Sequence, residues 1–125
     1  MEANIQDWFK AFYATSDDES AHAKYTSFFT PDAKLIMGDR TAKGQAEIFE
    51  LRKRMWTEVS SRKHTYRYYS STAFTDTYLL EGEVTYTFKA GGDNSINWVA
   101  KADFEGEGTA RKLKFYQVFL NVGSK

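Results

Sequence analysis

His64 is the side chain in this sequence best suited to moving a proton near neutral pH, because an imidazole is available there as both acid and base. A carboxylate or backbone carbonyl beside it would fix its tautomer. A histidine satisfied by a neighbouring tyrosine or a backbone group would be purely structural, and both readings stand at this level. Tyr13 and Tyr25 carry hydroxyls that could hold a ligand oxygen, or could be core tyrosines whose hydroxyls reach the surface. Asp39 is the reserve carboxylate base; beside Arg40, it also reads as a rim or solvated position. Gln117 alternates with Leu113, Phe115 and Phe119 on one strand face, where a buried amide needs a partner, so it is expected as a polar contact inside a pocket. Trp8, Trp56 and Trp98 come from separate elements and, with Tyr66, form the expected apolar wall of that pocket, or ordinary core. Asp17, Asp18, Asp76 and Asp93 sit at helix ends and turns, where capping explains them.

Other chemistries lack their residues. The chain has no cysteine and only 2 histidines, far apart in sequence, so thiol catalysis and a zinc centre are not expected. Neither a phosphate-binding glycine loop nor a dinucleotide fingerprint occurs. The expected reaction is therefore cofactor-independent and metal-free. Lys plus Arg equals Asp plus Glu at 17 each, which gives no field for steering nucleic acid. Charge is segregated locally, acidic over 2–19 and basic over 52–67, as two solvated faces would be. With no apolar stretch of spanning length and a helical pattern starting directly after Met1, the expectation is a cytoplasmic protein without a membrane partner.

These residues must be positioned by one domain, since 125 residues suffice for one core and not for two. Ile5, Trp8, Phe9 and Phe12 recur at helical spacing, which predicts a helix over 4–15. A short second helix carries Ala21, Tyr25 and Phe28 on one face and is expected to stop at Pro31. A strand over 33–37, an irregular connection over 38–44 and a third helix from Gln45 to about Val59 follow. From Ser60 the period changes to that of strands. Arg62, His64, Tyr66 and Tyr68 share one face of the first, and periodicity does not say which face is inward. Tyr78, Leu80, Gly82, Val84, Tyr86 and Phe88 line one face of the next, and Ile96, Trp98, Ala100, Ala102 and Phe104 repeat the pattern after a turn over 90–95. After Gly106-Glu107-Gly108 a last strand extends the sheet to about Val122. Such long strands must bend, with Gly82 and Gly106 the expected points of curvature. Lacking crossover helices, the chain is expected to be α+β, three helices against the concave face of a strongly bent, antiparallel-rich sheet, with a conical pocket between them. Aromatics at 17 % suit a pocket for a hydrophobic ligand.

Several stretches in this order resemble the NTF2-like superfamily, and within it SnoaL-like domains of the small fungal type. They are Trp8 to Tyr13, Phe28-Phe29-Thr30-Pro31-Asp32-Ala33, the bracketing Gly38 and Gly44, Gln45-Ala46-Glu47-Ile48, Arg62-Lys63-His64, and Phe115-Tyr116-Gln117-Val118-Phe119. The resemblance spans nearly the whole chain and implies the conical fold. It also implies small-molecule chemistry, because the superfamily includes ketosteroid isomerases, scytalone dehydratase and polyketide cyclases, alongside transport factors and association modules. The place of the isomerases' carboxylate base falls at about Met37, and a thioether takes no proton, so the steroid isomerase mechanism is not expected. Scytalone dehydratase resembles the chain in its pocket tyrosines and histidines, but His22 is the only histidine available beside His64.

Two functions remain open: an isomerase, dehydratase or cyclase acting on a polyketide- or terpenoid-like molecule with His64 as base, and a non-catalytic module for hydrophobic-ligand binding or dimerisation. Because Tyr116, Val118 and Leu120 alternate with Leu113, Phe115, Gln117 and Phe119, both faces of the last strand are apolar. A homodimer through the outer face of the sheet is expected, as the resemblance also implies.

Overall fold

The computed structural model describes residues 2–107 and 110–120. The chain runs α1 (Glu2–Ser16), α2 (His22–Ser27), β1 (Phe29–Met37), β2 (Arg40–Lys43), α3 (Gly44–Met55), β3 (Val59–Ser70), β4 (Thr77–Phe88), β5 (Asp93–Glu105) and β6 (Lys112–Leu120). One 6-stranded sheet has the order β2-β1-β6-β5-β4-β3. Its strand pairs are antiparallel except β1 with β6, which are parallel. The fold is thus α+β with a mixed sheet. Only α1 and α2 precede every strand, so the expected set of three N-terminal helices is interrupted by β1 and β2.

Expectation and structure part at several element boundaries. The stretch from Gly38 to Gly44 is a hairpin rather than an irregular connection, because Gly38 at φ 63 starts a two-residue turn that pairs Met37 with Arg40. The second helix ends at Ser27, before Pro31, since the Phe28 carbonyl already accepts the Leu113 N–H and draws the chain into the sheet. Pro31 lies inside β1, where the register with β6 shifts between Phe29 and Lys34 and no N–H is required. Helix α3 stops at Met55 rather than near Val59, as β-branched Thr57 and Val59 lead into β3. The expected sheet end at Val122, and Gly108 of the expected turn, lie outside the described residues.

Helix α1 buries Ile5, Phe9, Phe12 and Tyr13 against the sheet. Phe9 meets Phe104 of β5 edge-on at 5.7 Å, and Phe12 meets Tyr116 of β6 at 5.5 Å. Aromatic rings therefore fill much of the space between the helices and the closed end of the sheet. The β3 backbone crowds Gly82, which pairs with Tyr66: a Cβ built there would stand 1.9 Å from the Thr65 carbonyl oxygen. Gly106, at φ 87, brings the chain within 2.6 Å (Cβ to oxygen) of the Ala110 carbonyl, a turn that only glycine fits.

Strand β6 reverses its expected orientation. A register shift between Asp103 and Phe104 on β5 skips Lys114, so the parity of the strand changes there. Leu113 remains inside, but Tyr116 and Val118 follow it inward, while Phe119 is exposed. The outer face of the sheet carries Leu79, Val99 and Phe119 in the open.

Candidate active site

Arg52 organises the end of α1. Its guanidinium, 2 % exposed, donates to the carbonyls of Thr15 at 3.2 Å, Ser16 at 3.1 Å and Asp18 at 2.5 Å, and to His22 Nδ1 at 3.0 Å. A helix end leaves carbonyls without partners, and a buried cation answers both their hydrogen bonding and the helix dipole. The guanidinium carbon also lies 4.6 Å from the centre of the Tyr25 ring. Helix α3 thereby fixes where α1 stops and where Asp17, the next residue, points.

Asp17 points at His64. One carboxylate oxygen lies 2.6 Å from His64 Nδ1, and the other accepts the His64 backbone N–H at 3.1 Å. The second bond is available because β3 is an edge strand with one side unpaired. Both side chains are mostly buried, at 15 % and 24 % exposure for His64 and Asp17. With Nδ1 turned to the carboxylate, the imidazole presents Nε2 as the nitrogen left for chemistry.

His64 lines a small inner chamber of about 30 Å³ with Tyr25, Arg52, Arg62, Trp98 and Tyr116. Met37, Met55, Arg62, Tyr86 and Leu120 line both this chamber and a larger outer vestibule of about 650 Å³, so they form the neck between the two. Asp39, Arg40, Arg54 and Glu58 belong to the vestibule. The Tyr13 and Tyr116 hydroxyls lie 2.6 Å apart behind the chamber wall.

The tyrosines are phenols, not bases. Burial pushes the Tyr25 hydroxyl up to about 12, against the opposing pull of Arg52 and Arg62. Tyr116 is raised further, again chiefly by burial, and Tyr13 is raised by burial and then by Tyr116. Burial likewise lowers the pKa of both Arg52 and Arg62 below the ordinary guanidinium range. His22, accepting from Arg52, is held below the ordinary imidazole range, first by burial and then by that cation.

The structure brings together His64, Tyr25 and Trp98, with Tyr13 one hydrogen bond away through Tyr116. Other expected site residues lie elsewhere. Asp39 is in the vestibule, not the chamber. Gln117 pairs with Lys101 on the outer side of the sheet, because the β6 register shift turned Tyr116 inward in its place. Trp8 stacks on Phe12 at 5.2 Å and donates to the Arg111 carbonyl, away from the chamber. Trp56 lies behind Arg62, 4.7 Å from its guanidinium carbon, and Tyr66 packs on Tyr13 at 4.5 Å; neither lines the chamber. Asp17, Arg52, Arg62 and Tyr116 are site residues that sequence reasoning missed. The only available signal was Arg62 two residues before His64, on the same strand face.

Among the described residues no cluster of three metal-ligating side chains exists, and no helix is long and apolar enough to cross a membrane. No protein-family model and no curated protein sequence matches the chain. Solved structures do. An NTF2-like protein of unknown function from Exiguobacterium sp. 255-15 superimposes with TM-score 0.74 at 17% identity, over 96% of this chain and 99% of that one. The LinA-type3 hexachlorocyclohexane dehydrochlorinase from Novosphingobium barchaimii LL02 gives 0.80 at 16% identity, over 98% and 88%. ActVI-ORFA from Streptomyces coelicolor gives 0.76 at 15% identity, over 96% and 97%. The chain therefore has the NTF2-like fold.

Proposed function

We propose that this protein is a cofactor-independent isomerase, dehydratase or cyclase that removes a proton from carbon in a hydrophobic, oxygen-bearing small molecule of polyketide or terpenoid type. The observation that carries the reading is the contact of the Asp17 carboxylate with His64 Nδ1 at 2.6 Å, at the wall of a chamber lined by neutral phenols. In this scheme Nδ1–H stays on Asp17 and Nε2 accepts the substrate proton. The C–H electron pair moves onto an adjacent carbonyl oxygen, which takes a hydrogen bond from a phenol such as Tyr25. Return of the proton to another carbon completes an isomerisation; departure of a neighbouring oxygen, protonated by the imidazolium, completes a dehydration. The dehydrochlorinase that shares the fold supports the elimination branch, and the Phe28 to Ala33 motif supports a SnoaL-like domain of the small fungal type.

The test compares His64→Gln and Asp39→Asn with the parent on exchange of the α-protons of 2-tetralone for deuterium, followed by proton NMR. His64→Gln is expected to lose on the order of 10²-fold or more with its circular dichroism unchanged, and Asp39→Asn to behave like the parent. Equal exchange by parent and His64→Gln would sink the assignment of the base. A second reading, a non-catalytic ligand-binding module, is favoured by the contrast between a vestibule of about 650 Å³ and a chamber of about 30 Å³. Tight binding of hydrophobic ketones without any exchange supports that reading instead.

The working unit in this proposal is a homodimer joined through the outer sheet face, where Leu79, Val99 and Phe119 are exposed. Sedimentation at tens of micromolar protein is expected to give twice the monomer mass; a monomer there would remove the dimer from the proposal.

A further inference from the structure

Arg62 is 7 % exposed; its Nη2 donates to the Met55 carbonyl at 2.9 Å, and the Tyr86 hydroxyl is its one neighbouring side-chain partner among the described residues. Nε and Nη1, which carry most of the guanidinium's N–H donors, have no acceptor. Rings of Trp56 and Tyr86 lie 4.7 and 5.0 Å from its central carbon, and apart from the Tyr86 hydroxyl they offer π faces rather than charged acceptors. The nearby indole N–H groups of Trp56 and Trp98 are buried and unpartnered as well. This end of the chamber is therefore rich in donors and poor in acceptors.

Charge follows the same pattern. Arg52 and Arg62 both line the chamber, but Arg52 is taken up by the carbonyls at the end of α1; of the carboxylates that act on the pair, Asp18 is bonded to Ser20 and Asp17, which attracts Arg62 from a distance, is bonded to His64. No ion pair joins Arg62 to any described residue. Among the described residues lining the vestibule the acids Asp39 and Glu58 equal Arg40 and Arg54 in number, which leaves Arg62 as the excess positive charge. A desolvated cation with bare donors is unstable alone and well suited to an anion.

We infer that Arg62 is the seat of a carboxylate on the ligand, so that the molecule taken by this site is an organic acid with an apolar body. The inference rests on the proposed function and names its substrate class. Arg62 lines both the vestibule and the chamber, so an acid held on it keeps its apolar body in the vestibule and brings its carboxyl end to the mouth of the chamber. His64 follows Arg62 by two residues on the same strand face, a spacing of roughly 7 Å. A carbon one or two bonds from the carboxylate falls between the two side chains. The unbranched Met37 and Met55 at the neck can change rotamer to admit the head group into a chamber that is closed without it.

Isothermal titration of the whole protein with 3-phenylpropanoate and with its neutral isostere 3-phenylpropanamide tests this. The acid is expected to bind roughly tenfold to hundredfold tighter than the amide. Arg62→Met should abolish the difference, and His64→Gln should retain it. Equal affinities in the parent, a preference that survives in folded Arg62→Met, or no binding of the acid at 10 mM each overturns the inference. Should Arg62→Met fail to fold, the Arg62 Nε–H resonance of the parent decides. It is expected to shift downfield with the acid and not with the amide, and an unmoved resonance overturns the inference. Because the readout is affinity, the two readings fail separately: normal proton exchange in His64→Gln removes the base and leaves the acid preference standing, whereas equal affinities remove the acid site and leave the base.

Discussion

Asp17 grips His64 twice, through the ring at 2.6 Å and through the backbone N–H at 3.1 Å. Orientation of the imidazole is thus built into the edge of the sheet as well as into a side-chain pair. Asp17→Asn is expected to lower proton exchange on the order of 10²-fold, because an amide can present its NH₂ to Nδ1 and favour the other tautomer. Nitrogen NMR of the His64 ring should show the Nδ1–H tautomer in the parent and a mixture or the reverse in the variant; an unchanged tautomer would remove the stated reason for any loss.

At Gly82 the β3 backbone occupies the place of a side chain. Gly82→Ala would drive Cβ to 1.9 Å from the Thr65 carbonyl and force the strands apart next to His64. The expected cost is roughly 3 kcal/mol, seen as a lower urea midpoint. An unshifted midpoint would mean that the bend lies elsewhere.

Arg52→Met should cost about 3 kcal/mol, since it leaves the Ser16 carbonyl without a donor and leaves the Thr15 and Asp18 carbonyls only their backbone N–H partners, those of Asp18 and Ala21. It should also slow proton exchange, as the end of α1 that carries Asp17 loses its anchor. Chemical denaturation and the 2-tetralone assay measure the two effects on one sample. A variant as stable as the parent would show those carbonyls finding other partners.

Acid should weaken the fold through His22. Its folded pKa is below the ordinary value, so as pH falls through about 6.5 the unfolded chain takes up a proton that the folded chain refuses. The stabilisation is complete above that range and is lost on the acid side. The slope of melting temperature against pH between 7 and 5 should therefore be shallower in His22→Gln; identical slopes would rule the linkage out.

Alkali should act through Tyr25, with the opposite direction in pH. Its hydroxyl is raised to about 12, so between about 10 and that value the unfolded chain has released a proton that the folded chain keeps, and stability falls as pH climbs. Tyr25→Phe should flatten this limb of the melting profile. A limb of the same steepness in the variant would place the alkaline sensitivity on other groups.

Alternation made β4 and β5 readable residue by residue, because each has one face buried against the helices along its length. In β6 the same method inverted the outcome after Lys114: a one-residue irregularity against β5 leaves no mark in composition, yet exchanges Gln117 for Tyr116. The hairpin at Gly38 hid for a different reason, since β2 has one buried residue, Ala42, and three polar ones. Asp17 was legible as a polar residue after a helix and not as the partner of His64, which lies 47 positions away. Arg52 and Arg62 counted as solvated charge because a buried cation and an exposed one have the same spelling; only packing shows that each occupies the interior.

The hydroxyl pair of Tyr13 and Tyr116 joins residues 103 apart, and the Trp8 indole reaches the Arg111 carbonyl across the same separation. The first helix and β6 thus hold each other, and β1 cannot complete its pairing until β6 has been made. During synthesis the chamber has no back wall until β6 leaves the ribosome, since Tyr116 and Val118 belong to it. Closure of so long a loop delays the ordered state and leaves the aromatic face of α1 uncovered meanwhile. A ribosome-bound chain stalled before Lys112 would accordingly display a sticky helix and a chamber without its Tyr116 and Val118 wall.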